Sequence, residues 1–162
     1  MLNWNNLYEM QHQLDSYIEK EKNVADQDLF DKKVIALLVE VGELANETRC
    51  FKFWSEKGPS EKSVILEEYV DGVHFLLSLG IEKQLRFQPD STPSSSRELT
   101  AQFFELYGVI NSFALQPSQE TYNRMWECYL KVGQELGFTS ENIMAAYSEK
   151  NEVNIKRQQQ GY

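Results

Sequence analysis

The chain has little cysteine, little histidine and no excess of positive charge. Its two cysteines, Cys50 and Cys128, cannot build a disulfide framework, and neither belongs to a zinc-ligand spacing. Two reduced thiols that serve as packing are the plain expectation. Lys and Arg number 16 against 25 Asp and Glu, a net charge of −9. A surface of that sign repels polyanions, which argues against duplex nucleic acid as a partner. No run approaches the roughly 18 uninterrupted apolar residues of a membrane span. No basic segment precedes an apolar stretch near Met1, so no secretory signal is expected and the cytoplasm is the expected location. Strand signals are missing too, with no sustained alternation and no Asn-Gly hairpin. Nor is there an internal repeat of convincing length.

Helical periodicity is what remains. The spacing predicts helices over about Trp4–Glu21, Asp28–Lys52, Glu61–Lys83, Glu98–Leu115, Gln119–Leu136 and Thr139–Arg157. Gly58-Pro59 reads as a turn, and Gly137 as the glycine just past a helix end. Thr139 reads as an N-cap. Two prolines and four serines within Gln88–Arg97 cannot continue a helix and read as a loop. The expected fold is all-α: a bundle of about six helices in a single domain over 1–162, with a Pro/Ser-rich loop at 88–97. The third helix, with Val64, Ile65, Tyr69, Val70, Val73, Leu76 and Leu77, is the most apolar and should be central.

Acidic residues interrupt two of these helices at telling places. At 100° per residue, Glu40, Glu43 and Glu47 share an arc of about 60°, and Glu68 and Asp71 sit about 60° apart one turn on. A lone ExxE pair is ordinarily a solvated face. Glu68 and Asp71, however, are embedded in the most apolar stretch of the chain, where unpartnered charge is costly. If the short connection makes the two helices antiparallel, the acidic pairs face each other. Four carboxylates in a partly dry cleft suit hard divalent cations, Mg2+ best of all.

The last helix carries Lys150, Asn154 and Arg157 within an arc of about 60°. They read either as a grip for phosphate or as charges that complement the helix C-terminus. His74 reads equally as a packed core residue or as a group that orients Asp71 or touches a ribose. Glu9 with His12, and Asp71 with His74, can also be forced into the ExxH pattern of di-iron bundles.

The ordered pattern E-x2-E-x24-E-x2-D resembles the metal-binding signature of the all-α NTP pyrophosphatase superfamily, which includes the MazG-like enzymes and the dimeric dUTPases. The context is closer to the dimeric dUTPases. An aromatic and lysine segment, Arg49-Cys50-Phe51-Lys52-Phe53-Trp54, follows the first acidic pair, and His74-Phe75 follows the second. The string K-N-x2-N-x2-R-Q-x2-G-Y from Lys150 to Tyr162 resembles that family's C-terminal motif. The resemblance covers most of the chain and is weakest over Gln88–Arg97 and the helix after it.

The resemblance implies a MazG-like/dimeric dUTPase architecture, a homodimer, and hydrolysis of dUTP to dUMP and pyrophosphate, with dUDP as a further substrate. Glu40, Glu43, Glu68 and Asp71 would hold the metal, and Glu43 would activate the attacking water. Gln11 would read the uracil edge. Asp15 stands where the family has asparagine, which changes a group that donates and accepts into one that, when ionised, only accepts. Lys52, Trp54, His74 and Phe75 would contact substrate. Lys150, Asn154 and Arg157 would bind its phosphates or sugar, and Gly161-Tyr162 would help to close the site. A phage-borne member would add a regulatory protein partner. The alternatives are a pyrophosphatase for another nucleotide such as dCTP, and a non-catalytic helical interaction module.

Overall fold

The computed structural model describes residues 1–89 and 97–162. Among these residues six helices account for the fold: α1 Trp4–Glu21, α2 Phe30–Thr48, α3 Lys62–Glu82, α4 Leu99–Leu115, α5 Gln119–Glu135 and α6 Ser140–Gln159. No strand occurs among the described residues. The all-α expectation therefore holds. The predicted Pro/Ser-rich loop falls largely on residues 90–96, outside the described residues.

Most helix ends lie within two residues of the predicted ones, because local chemistry sets them. Ser118 and Thr139 each form a reciprocal capping box at the start of α5 and α6. Gly137, at φ +75°, follows the end of α5. The second helix is the exception, since it stops at Thr48 rather than Lys52. Arg49 turns left-handed there (φ +58°), and its guanidinium bonds the Lys57 carbonyl and the Ser55 hydroxyl, so the chain folds back into an exposed turn.

Cross-links fix the helix directions. Lys33 near the start of α2 pairs with Glu82 at the end of α3 (2.7 Å), and Glu47 near the end of α2 accepts from the Ser60 hydroxyl just ahead of α3. These two helices are therefore antiparallel, as expected. Gln11 meets His74 and Asp15 meets Ser78, so α1 runs parallel to α3. Lys62 reaches Gly137 and Asp71 meets Lys150, so α6 is parallel to both.

The central helix is α3, which buries Ile65, Tyr69, Val70, Val73, Leu76, Leu77 and Leu79 and packs against α1, α2, α5 and α6. Its register against α5 is set by a reciprocal pair. The Tyr129 hydroxyl donates to the Tyr69 carbonyl (2.7 Å), and the Tyr69 hydroxyl donates to the Tyr129 carbonyl (3.2 Å). Each ring lies over a glycine of the other helix. A Cβ on Gly72 would stand 2.0 Å from the Tyr129 oxygen, and one on Gly133 2.4 Å from that of Tyr69. Only hydrogen at both positions lets the helices approach this closely.

Candidate active site

The antiparallel pairing of α2 and α3 brings Glu40 beside Glu68 and Asp71. One oxygen from each lies within 4.8 Å of the others. All three are half-buried, and water cannot screen them fully. Burial, with Asp71 and Glu43 nearby, pushes the Glu40 carboxyl up to about 8. Burial and the charge of Asp71 push Glu68 up to about 7. Burial also raises Asp71, although Lys150 opposes it. Oε2 of Glu40 is buried with no hydrogen-bond partner. A buried oxygen in that state wants a proton or a cation. Glu43 is exposed on the rim of this cluster, within hydrogen-bond reach of Glu40.

Beside the carboxylates opens a cavity of roughly 320 Å³ between α1, α2, α3 and α6. Its lining gathers most of the residues singled out from sequence: Gln11, Asp15, Glu40, Asp71, His74, Phe75, Lys150, Asn154 and Arg157. Lys150 pairs with both Asp71 and Glu67, each at 2.9 Å. Burial disfavours its charge, but these two carboxylates outweigh that and raise its pKa. The Arg157 guanidinium stacks on the Tyr162 ring at 5.3 Å, and the Tyr162 carbonyl accepts from Lys22, so the chain end lies along the cavity.

One end of the cavity is a hydrogen-bond array in which Nε2 of His74 is buried without a partner. Oε1 of Gln11 accepts from the Tyr147 hydroxyl (2.8 Å) and lies 2.7 Å from Nδ1 of His74. Since Oε1 can only accept, Nδ1 carries the proton. Burial pulls His74 down to about 3, so its ring is neutral. Nε2 of Gln11 donates to Asp15 (2.8 Å), whose other oxygen accepts from the Ser78 hydroxyl (2.7 Å). Flipping the Gln11 amide would set oxygen against carboxylate, so its orientation is fixed. One N–H of Gln11 remains free beside an Asp15 carboxyl with unused lone pairs. Burial raises Asp15, partly offset by Ser78 and Gln11.

His74 therefore serves Gln11 and stacks on Tyr147 (4.2 Å), in keeping with the packed reading, and Asp71, which the other reading had it orient, pairs with Lys150. Glu9 and His12 are exposed on α1 and join no ligand cluster among the described residues, which removes the di-iron pattern. Lys52 and Trp54 lie outside the cavity. Both sit on the turn after α2, with Trp54 edge-on to Phe51 and Phe53 and the Lys52 ammonium 5.8 Å from the Phe51 ring. Ser78 and Tyr147 escaped sequence reasoning. Ser78 carried a usable signal, since it stands four residues after His74 just as Asp15 stands four after Gln11.

A family model described as dUTPase matches residues 3–162. The chain belongs to the dUTPase family. No curated protein matches it in sequence. Membership makes this dUTPase an enzyme, a dUTP diphosphatase acting on a nucleotide substrate, and the non-catalytic alternative falls away. Enzymes of this family typically use a divalent metal, and the Glu40, Glu68 and Asp71 cluster offers one a place. Among the described residues no helix is long and apolar enough to cross a membrane.

Proposed function

We propose that the protein is a single-domain, Mg2+-dependent dUTPase that cleaves dUTP, and also dUDP, by attack of water at the α-phosphorus in this cavity. One observation carries the reading. Two carboxylates of the three-membered cluster (Glu40 and Asp71), a set of cations and a base-edge donor–acceptor pair all border the same roughly 320 Å³ space, with Glu68 beside them. The metal donors are all oxygens, their carboxyls are pushed toward the protonated state, and Glu40 Oε2 lacks a partner. That set fits a hard cation. Magnesium bound there would neutralise the triphosphate and lower the pKa of the attacking water.

In this reading Glu40, Glu43, Glu68 and Asp71 hold the metal. Glu43, exposed on the rim, takes the proton of the incoming water. Lys150 and Arg157 stabilise charge that develops on phosphoryl oxygens, and Asn154 contacts the sugar. Phe75 packs on the base, with His74 fixing Gln11 beneath it. The free N–H of Gln11 donates to a uracil carbonyl while Asp15 accepts the N3–H, so the aspartate does what the edge of uracil requires. Lys52 and Trp54 meet the substrate if the turn after α2 folds over the mouth. Ile35 and Val39 on α2, with Phe104 and Leu115 on α4, are more than half exposed and supply apolar area for a homodimer.

The same donor–acceptor pair matches the N3 and N4 edge of cytosine, which makes dCTP the competing substrate. The test is pyrophosphate release from a nucleotide panel, with magnesium and with EDTA. Magnesium-dependent release from dUTP supports the proposal. Preferential release from dCTP transfers the base pocket to cytosine, and release in EDTA sinks the metal assignment.

A further inference from the structure

Lys150 holds a position that its expected phosphate contacts do not explain. Its ammonium is 2.9 Å from Asp71 Oδ2 and 2.9 Å from Glu67 Oε1, and only 13% of its side chain is exposed. An ammonium at that distance takes one lone pair of the carboxylate and neutralises the charge that a metal would draw on. Asp71 is also one of the three carboxylates whose oxygens converge. Two cations, the lysine and the divalent ion, thus have claims on one aspartate.

The two partners of Lys150 differ in a way that lets the conflict resolve. Asp71 is mostly buried (side chain 18% exposed), faces the cavity and is fixed on α3. Glu67 lies one turn earlier, 60% exposed, and is free to follow the ammonium. Lys150 itself stands in the wall between the nucleotide cavity and a second groove of about 330 Å³ lined by Ser63, Leu66, Glu67, Val70 and Glu149. Its flexible stem has room on both sides.

We propose that Lys150 is the resident counter-cation of the metal site. It neutralises Asp71 until the divalent ion binds, and the ion's arrival releases it from Asp71 to the nucleotide. Lys150 is then a positioning residue that couples metal loading to phosphate binding. The inference rests on the metal reading above. The coupling runs both ways by linkage: a nucleotide phosphate that draws Lys150 away strengthens the metal site, and metal strengthens phosphate binding.

The test is magnesium titration by calorimetry, without nucleotide, of the wild-type protein and of Lys150→Met and Lys150→Arg, with melting curves to verify folding. Removing a competing unit charge a few ångströms from the ion should tighten magnesium binding by about tenfold or more. The rise in Tm on adding magnesium should be larger for Lys150→Met than for wild type. Lys150→Arg keeps the cation and should stay near wild type. If Lys150 merely braces Asp71 for the metal, Lys150→Met binds magnesium more weakly or unchanged, and the proposal is overturned. If the wild-type protein itself binds no magnesium, the metal reading falls first and this inference with it.

Discussion

Magnesium binding to this protein should expel protons. Glu40 titrates near 8 and Glu68 near 7, because both are partly buried beside other carboxylates. A carboxyl must lose its proton to serve as a ligand. At pH 7 about nine-tenths of Glu40 and about half of Glu68 are protonated, so loading the site releases about 1.4 protons. At pH 9 the release falls to about 0.1. By the same linkage, affinity should be about tenfold or more weaker at pH 7 than at pH 9, and weaker again at pH 6. Without magnesium the sign reverses for stability. Folded values above the unfolded 4.5 stabilise fully below pH 4.5, and that contribution is lost as pH rises through 7 and 8. Calorimetry in buffers of different ionisation enthalpy counts the protons, and melting curves in EDTA follow the stability. A proton count near zero at pH 7, or affinity flat between pH 6 and 9, would refute the reasoning.

Other expectations concern single groups. Glu43→Gln should lower kcat by about 10²–10⁴ without lowering Tm, because Glu43 is exposed and its charge repels Glu40 and Glu68; normal turnover would remove it as the base. N3-methylated dUTP should compete with dUTP at least about 100-fold more weakly, since it offers Asp15 no proton; equal competition would exclude Asp15 from the base edge. Gly72→Ala should cost about 3 kcal/mol or more in a denaturant titration, since the new methyl would sit 2.0 Å from the Tyr129 oxygen; a loss under about 1 kcal/mol would mean the helices can separate freely.

The acidic pairs were legible because helical periodicity ties Glu40 to Glu43 and Glu68 to Asp71 on one face whatever surrounds them. Lys150, Asn154 and Arg157 were legible for the same reason, and all three line the cavity. Spacing along one helix does not say which residue of another helix it meets. That depends on inter-helix register, and the Tyr69–Tyr129 exchange over Gly72 and Gly133 fixes it between α3 and α5 but not between α1 and α3. The pairing of His74 with Gln11 rather than Asp71, and of Ser78 with Asp15, is a consequence of register. The overlong second helix had a different cause. Nothing in Arg49-Cys50-Phe51-Lys52 forbids helix, and the left-handed turn is held by contacts to Ser55 and Lys57 further on.

The parallel run of α1, α3 and α6 also gives the cavity a direction. All three end near the same pole: Ile18, Ser78 and Arg157 lie in or beside their last turns and line the space there. The C-terminal carbonyls of three helices make that pole electronegative, and the start of the antiparallel α2, Lys33 and Arg157 offset part of this. A triphosphate is repelled from such an end, whereas a neutral base is not. On the reading proposed above, this favours a nucleotide with its base toward Asp15 and Ser78 and its phosphates toward Glu40, Asp71 and Lys150, where the charge of Arg157 also acts on Asp71. In that reading the backbone field biases head from tail before any side chain reads the base.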